Sequence, residues 1–241
     1  MRRAALSAAC VLLVVPLLPA SAIAAPASAP TRAASTALVP AGSALRYVTH
    51  VRTAKRVVFI TVDDGVVRDR DFLRLVRRTH LPVTVFLTLD YARSKAGANY
   101  FRQLQAAGAV IENHTFSHPD LLRIGSRQLH REICTAATRE KRMFGRAPTL
   151  FRAPYGAIDD RVLRTARSCG MTTVGWDAVM PESGPLETWS GHGRLKPGDI
   201  VLLHFVPGLV PQLRRVLAEA ERRHLRVAKL EDFVHAPRRA S

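Results

Sequence analysis

Val57-Val58-Phe59-Ile60-Thr61-Val62-Asp63-Asp64-Gly65 sets six β-branched or aromatic residues directly before two carboxylates and a glycine. A short apolar run without polar alternation suits a strand buried on both faces, as in a parallel sheet covered by helices. The Asp63-Asp64-Gly65 turn then lies just past the C-terminal end of that strand. Downstream, apolar spacing predicts a helix around Asp71–Arg78, a strand at Val83–Leu87, a helix around Tyr100–Ala107 and a strand near Ala109–Glu112. Ser126 can cap a longer helix running to Phe144, with Gly145 as its stop. A short strand at Thr149–Phe151, a helix at Asp159–Ser168 and a strand at Thr172–Trp176 follow. A Gly- and Pro-rich loop then spans Asp177–Pro197, before a strand at Ile200–Leu203, a helix at Val210–Arg223 and a last strand near Leu225–Ala228. Strands alternating with helices predict an α/β fold with a parallel sheet and right-handed crossovers. The pattern leaves open whether that sheet closes into a barrel.

In parallel α/β architectures the active site is built at the C-terminal strand ends. Asp63, Asp64, His114, His118, Arg152 and His204 all fall at such ends. His114-Thr115-Phe116-Ser117-His118 carries two imidazoles four residues apart, and Pro119 directly after them places the pair on a short turn in a loop. Two histidines and one aspartate supply three ligands, the number typical of a catalytic zinc site that keeps one position for water. His-x-x-x-His alone is a common accidental spacing; the aspartate pair is what makes a metal site the better reading.

The 241 residues carry no internal repeat and no second composition regime, so one sizeable domain is expected. Arg2-Arg3, the apolar stretch Ala4–Ala20 and the small residues Ala22-Ile23-Ala24 have the layout of a secretory signal peptide over residues 1–24. Residues 25–44, rich in Ala, Ser, Pro and Thr, read as a flexible linker, and residues 45–241 as the folded domain. No transmembrane segment is expected once the signal is removed, and the protein is expected to be secreted or associated with the cell wall. Export permits a disulfide between Cys134 and Cys169, although two buried thiols satisfy the sequence equally well. The net charge of +17 falls only to +15 without Arg2 and Arg3. Such a field attracts polyanions, and an anionic wall surface suits an exported chain better than nucleic acid, for which no signature is present. Arginines spread over solvated helix faces account for the charge as readily.

With these residues assembled, the chain resembles the polysaccharide deacetylase family, built on the NodB-homology domain and classed as carbohydrate esterase family 4. Thr61-Val62-Asp63-Asp64-Gly65 is similar to its first motif, and Asn113-His114-Thr115-Phe116-Ser117-His118-Pro119-Asp120-Leu121 to its second. Phe151-Arg152-Ala153-Pro154-Tyr155-Gly156 is similar to the third, and Gly198-Asp199-Ile200-Val201-Leu202-Leu203-His204 to the fifth. The resemblance spans roughly Arg56–Phe233. It implies a parallel-strand distorted (β/α) barrel and a hydrolase acting on carbon–nitrogen bonds other than peptide bonds. It also implies a divalent metal held by Asp64, His114 and His118, commonly zinc, with cobalt or nickel compatible with the same donors. Asp63 would be the general base, His204 the general acid, and Arg152 the residue that orients Asp63. The backbone N–H of Tyr155 would help bind the oxyanion, and Trp176 and Leu202 would line the acetyl pocket. The implied substrate is an acetylated amino-sugar polymer, peptidoglycan or chitin-like. An acetylxylan-type esterase and a catalytically weak wall-binding protein remain as alternatives.

Several positions depart from the family pattern. Val62 and Val66 replace a usual Phe and Pro, and Glu112 stands where a Gly often precedes Asn113, which puts a carboxylate next to the metal loop in sequence. The fourth motif is altered: Val179 occupies the place of an aspartate that commonly anchors the arginine or tunes the acid histidine. Asp177, Glu182 and Glu187 are the carboxylates nearby that could replace it.

Overall fold

A computed structural model describes residues 45–189 and 193–236. The expected signal peptide and linker lie outside the described residues, and all of the described chain falls in one compact unit, Val39–Ser241. Its strands are β1 (Tyr47–Val48), β2 (Val57–Asp64), β3 (Val83–Leu87), β4 (Val110–Asn113), β5 (Leu150–Phe151) and β6 (Thr172–Val174). They continue as β7 (Ala178–Val179), β8 (Glu187–Thr188), β9 (Ile200–His204) and β10 (Arg226–Val227). The sheet order is β1-β6-β5-β4-β3-β2-β9-β7-β8, with β10 also pairing β2. Every pairing of these strands is parallel except β7 with β8.

The sheet curls because its two edges are joined by a short stretch of chain. β6 lies next to one end of the order, whereas β7 pairs β9 on the other side. Only Gly175, Trp176 and Asp177 separate β6 from β7, and such a stretch spans at most about 14 Å. Gly175 N donates to Val48 O at 2.8 Å and Val51 N to Gly198 O at 3.0 Å, so residues 47–51 also bridge the gap. This is the distorted (β/α) barrel. Gly175 is required at the seam, since a Cβ there would meet the Tyr47 hydroxyl at 2.3 Å.

Alternation along β2 decides what faces where. Val58, Ile60 and Val62 join the outer core under the helices α1 (Arg70–Thr79), α2 (Lys95–Ala106) and α6 (Leu209–Arg222), against Phe72, Phe101 and Leu213. Val57 and Phe59 point the other way and plug the barrel floor with Phe86, Leu150, Ile200 and Leu230. Thr61 and Asp63 continue that inward row at the mouth. Asp64, the last residue of β2, has a φ of 78° and so leaves the alternation at the mouth.

Element types match the sequence pattern, and the differences lie at ends and short strands. α1 begins at Arg70 because the Asp69 side chain accepts from Asp71 N and Phe72 N; α2 begins at Lys95 because Ser94 caps Gly97 N. Ser126 is already helical and Gly125 stands at the cap; α3 (Ser126–His130) passes through a π-turn at Arg131–Thr135 into α4 (Ala136–Phe144), which Gly145 ends at φ 77°. The strand expected to reach Trp176 stops at Val174, and the expected loop at Asp177–Pro197 contains β7 and β8. Two-residue strands leave no periodicity to read. Cys134 in the π-turn and Cys169 after α5 (Asp160–Ser168) form a disulfide.

Glu112 is fully buried on the inward face, and its contacts are with the start of β5 and not with the histidine loop, a correction to its expected place. Its carboxylate accepts from Thr149 N at 2.7 Å and Leu150 N at 2.9 Å and pairs with Arg146, so it fastens β5 to β4. Glu231, beneath it, accepts from Thr84 Oγ1 at 2.8 Å, and its Oε2 is buried without a donor. Burial, and then the Glu112 charge, pushes the Glu231 carboxyl up to about 7. A raised carboxyl pKa favours the fold while the group stays protonated, so stability falls as pH rises from the ordinary carboxylate range through 7. Glu231→Gln is accordingly expected to stabilise the protein by about 2–3 kcal/mol at pH 8 and by nothing measurable at pH 4. Urea unfolding at the two pH values checks this, and equal gains at both would contradict it.

Candidate active site

Asp63, the residue before the end of β2, is in register with His204 on β9, and Thr61 is in register with Leu202. Partners in register on parallel strands share a face, so Thr61, Asp63, Leu202 and His204 form one inward patch. Arg152, just beyond β5, reaches it from across the barrel and is completely buried. Its Nη1 donates to Asp63 Oδ1 at 2.8 Å and Thr61 Oγ1 at 2.7 Å, and its Nη2 to Gly175 O at 2.7 Å. The guanidinium lies 4.1 Å from the Phe86 ring centre and 5.7 Å from that of Trp176. Burial pulls the Arg152 pKa down, and the Asp63 charge and hydrogen bond oppose that pull.

β4 delivers Asn113 and then the histidine loop. Thr115 and His118 both have positive φ, 72° and 63°, so the two imidazoles meet through a sharply turned loop and not a helical turn. Glu132, on the π-turn, holds that loop by accepting from Phe116 N, Ser117 N and Ser117 Oγ at 2.8–3.1 Å. Asn113 Oδ1 accepts from Thr115 N at 2.9 Å while its Nδ2 donates to Glu140 at 3.0 Å. Left-handed backbone at non-glycine residues is strained, and four of the six such residues in the described chain, Asp64, Thr115, His118 and Tyr155, surround this site.

Asp64 Oδ1 lies 3.4 Å from His114 Nε2 and 3.1 Å from His118 Nε2. His114 Nδ1 faces the Arg152 carbonyl at 2.8 Å and must donate to it, which leaves Nε2 as a lone pair aimed at Asp64. Asp64 Oδ1 is buried and receives no hydrogen bond. Acceptors converging on one point fit a cation, and tetrahedral bonds of roughly 2.0–2.1 Å put donors about 3.3 Å apart. The three residues therefore suit a divalent metal. Burial raises the Asp64 pKa, and hydrogen bonds and then charge from the imidazoles in their protonated form would hold the carboxyl well below the usual range; a cation bound to the neutral imidazoles acts in the same direction.

The other expected residues also converge. Tyr155, 65% exposed, sets its ring against that of His118, with the hydroxyl 3.2 Å from Nδ1. Trp176 lies over Gly156, where a Cβ would come within 3.2 Å of its ring, and Leu202 is buried below His204. The expected replacement for the fourth-motif aspartate does not hold. Asp177 pairs with His50 and accepts from Ile200 N, and Glu182 and Glu187 are exposed. Arg152 is instead anchored by a hydroxyl and a carbonyl, Thr61 and Gly175. Trp189 joins the site without having been expected there: 62% exposed, it lies 6.2 Å from Trp176, and an isolated tryptophan in a polar loop is its only sequence signal.

The family model described as polysaccharide deacetylase matches residues 50–174. An uncharacterized protein of Streptomyces coelicolor is 38% identical over 86% of this chain and 87% of its own. The chitooligosaccharide deacetylase of Sinorhizobium fredii is 32% identical over 66% of this chain and 77% of its own. Among solved structures, a family 4 carbohydrate esterase from Bacillus anthracis superposes with a TM-score of 0.66 at 21% identity, over 78% of this chain and 86% of that one. A curled, mostly parallel α/β barrel is the fold of the carbohydrate esterase family 4 deacetylases. The chain belongs to the polysaccharide deacetylase family, hydrolases of N-acetyl amide bonds.

Proposed function

We propose that this protein is a metal-dependent deacetylase of an amino-sugar polymer displayed outside the cell membrane. The observation that carries the reading is the convergence of Asp64, His114 and His118 beside a second carboxylate, Asp63, clamped by buried Arg152. A divalent cation held by the three donors, zinc by preference, would supply Lewis-acid polarisation of the acetamide carbonyl and acidify water. Arg152 occupies Asp63 Oδ1 and leaves Oδ2, 3.8 Å from His114 Nε2, to accept the proton of the attacking water. His204, on the same inward face, gives a proton to the departing sugar amine. The Tyr155 backbone N–H takes part of the oxyanion charge, and Leu202 and Trp176 enclose the acetyl methyl. Trp189 and Tyr155 offer exposed rings on which sugar faces stack. The net charge of +17 favours an anionic wall polymer such as peptidoglycan over neutral chitin.

Acetate release from N-acetylglucosamine oligomers, peptidoglycan and acetylxylan tests this reading. Release is expected from the amino-sugar substrates, to fall at least about tenfold with a chelator and to return with zinc. Release from acetylxylan alone favours the esterase, and chelator-insensitive background on all three, with wall binding retained, favours a binding protein.

A further inference from the structure

We propose that His50, Asp177 and Asp199 form a second divalent-cation site, for an ion of the zinc class, at the seam where the two sheet edges meet. His50 follows β1, Asp177 follows β6 and Asp199 precedes β9, so the three donors come from both sides of the seam. His50 Nδ1 lies 2.7 Å from Asp177 Oδ2 and 3.4 Å from Asp199 Oδ1. Each carboxylate has its other oxygen tied to a backbone amide: Asp177 Oδ1 accepts from Ile200 N at 3.1 Å, and Asp199 Oδ2 from Lys196 N at 2.7 Å. The free oxygens are thereby aimed at the imidazole.

One Nδ1 proton cannot serve two carboxylates. It goes to Asp177, and Asp199 Oδ1 is left buried with no donor, on a residue only 2% exposed. An oxygen acceptor orphaned in the interior is costly as a rule, and a cation in the proton's place satisfies all three groups. The 3.4 Å separation already matches donors on one tetrahedral ion, about 3.3 Å apart; the 2.7 Å pair opens by about 0.6 Å when the proton leaves. One nitrogen and two oxygens suit zinc-class ions. His50, 38% exposed, gives a path from solvent and room for water as a further ligand. Gly198, at φ 95°, makes the space: a Cβ there would lie 2.6 Å from His50 Nε2 and 2.1 Å from Val51 O. An ion here would lock Trp176 and the Gly175 carbonyl that anchors Arg152.

The test is zinc content of the full-length chain after loading and exhaustive desalting. Two zinc ions per chain are expected, one in His50→Gln, one in His118→Ala and none in the double variant. Zinc is also expected to raise the Tm of His118→Ala, and not that of the double variant. One zinc in the wild type, kept in His50→Gln and lost in His118→Ala, overturns the proposal and shows that the cluster holds only a proton. One zinc lost in His50→Gln but kept in His118→Ala supports it while refuting the metal in the proposed active site. His50→Gln alters a partly exposed side chain, and its circular dichroism confirms that the fold is retained.

Discussion

Asp63→Asn is expected to lower acetate release by about 10²–10⁴-fold while leaving the metal bound through Asp64, His114 and His118 at its wild-type level. The amide keeps the shape of the carboxyl, and its oxygen can still accept from Arg152 Nη1, as Asp63 Oδ1 does at 2.8 Å. What disappears is the proton acceptor at the second oxygen, the atom that faces His114 Nε2. None of the three metal donors is altered. The loss should therefore appear in kcat, with metal content by elemental analysis unchanged. Turnover within threefold of wild type would remove Asp63 from the reaction.

Much of this site is legible in the amino-acid sequence, because each residue ends a strand whose apolar run marks it. β2 and β9 are strand-like for every residue up to Asp63 and His204, so their chemistry stands out against a plain background. The histidine loop is legible for another reason: Pro119 rules out a long helix, and two imidazoles in a short loop have few structural uses. The support of Arg152 is not legible. The family resemblance points to a carboxylate near Trp176, but the anchors are the Thr61 hydroxyl and the Gly175 carbonyl, and a backbone carbonyl has no sequence signature. β1, β7 and β8 leave no trace because, unlike the equally short β5 and β10, they follow no predicted helix that would call for a strand, yet they make the seam that turns an open sheet into a barrel. Glu112 misleads because adjacency to Asn113 in the chain is not proximity to the metal loop. Its carboxylate is taken instead by the Thr149 and Leu150 amides and by Arg146.

Arg152→Met should cost about 3–5 kcal/mol of folding stability, besides its effect on turnover, because it strands a buried carboxylate. Asp63 is only 2% exposed, and the guanidinium also satisfies Thr61 Oγ1 and Gly175 O. Methionine fills much of the volume beside Phe86, so a cavity is a minor part of the loss. If the unpaired charge is the cause, Asp63→Asn in the same chain relieves it, and the double variant is more stable than Arg152→Met alone by about 1–3 kcal/mol. Arg152→Lys should recover little, since one ammonium on a flexible stem cannot span donors to Thr61, Asp63 and Gly175 while lying flat on the Phe86 ring. Strictly additive losses in the double variant would mean that the pair is not coupled, and that Arg152 serves the fold through Gly175 and Phe86 instead of through Asp63. Urea denaturation of the four proteins of the cycle distinguishes these cases, and the sign of the coupling decides whether the barrel mouth is organised around Asp63 or merely beside it.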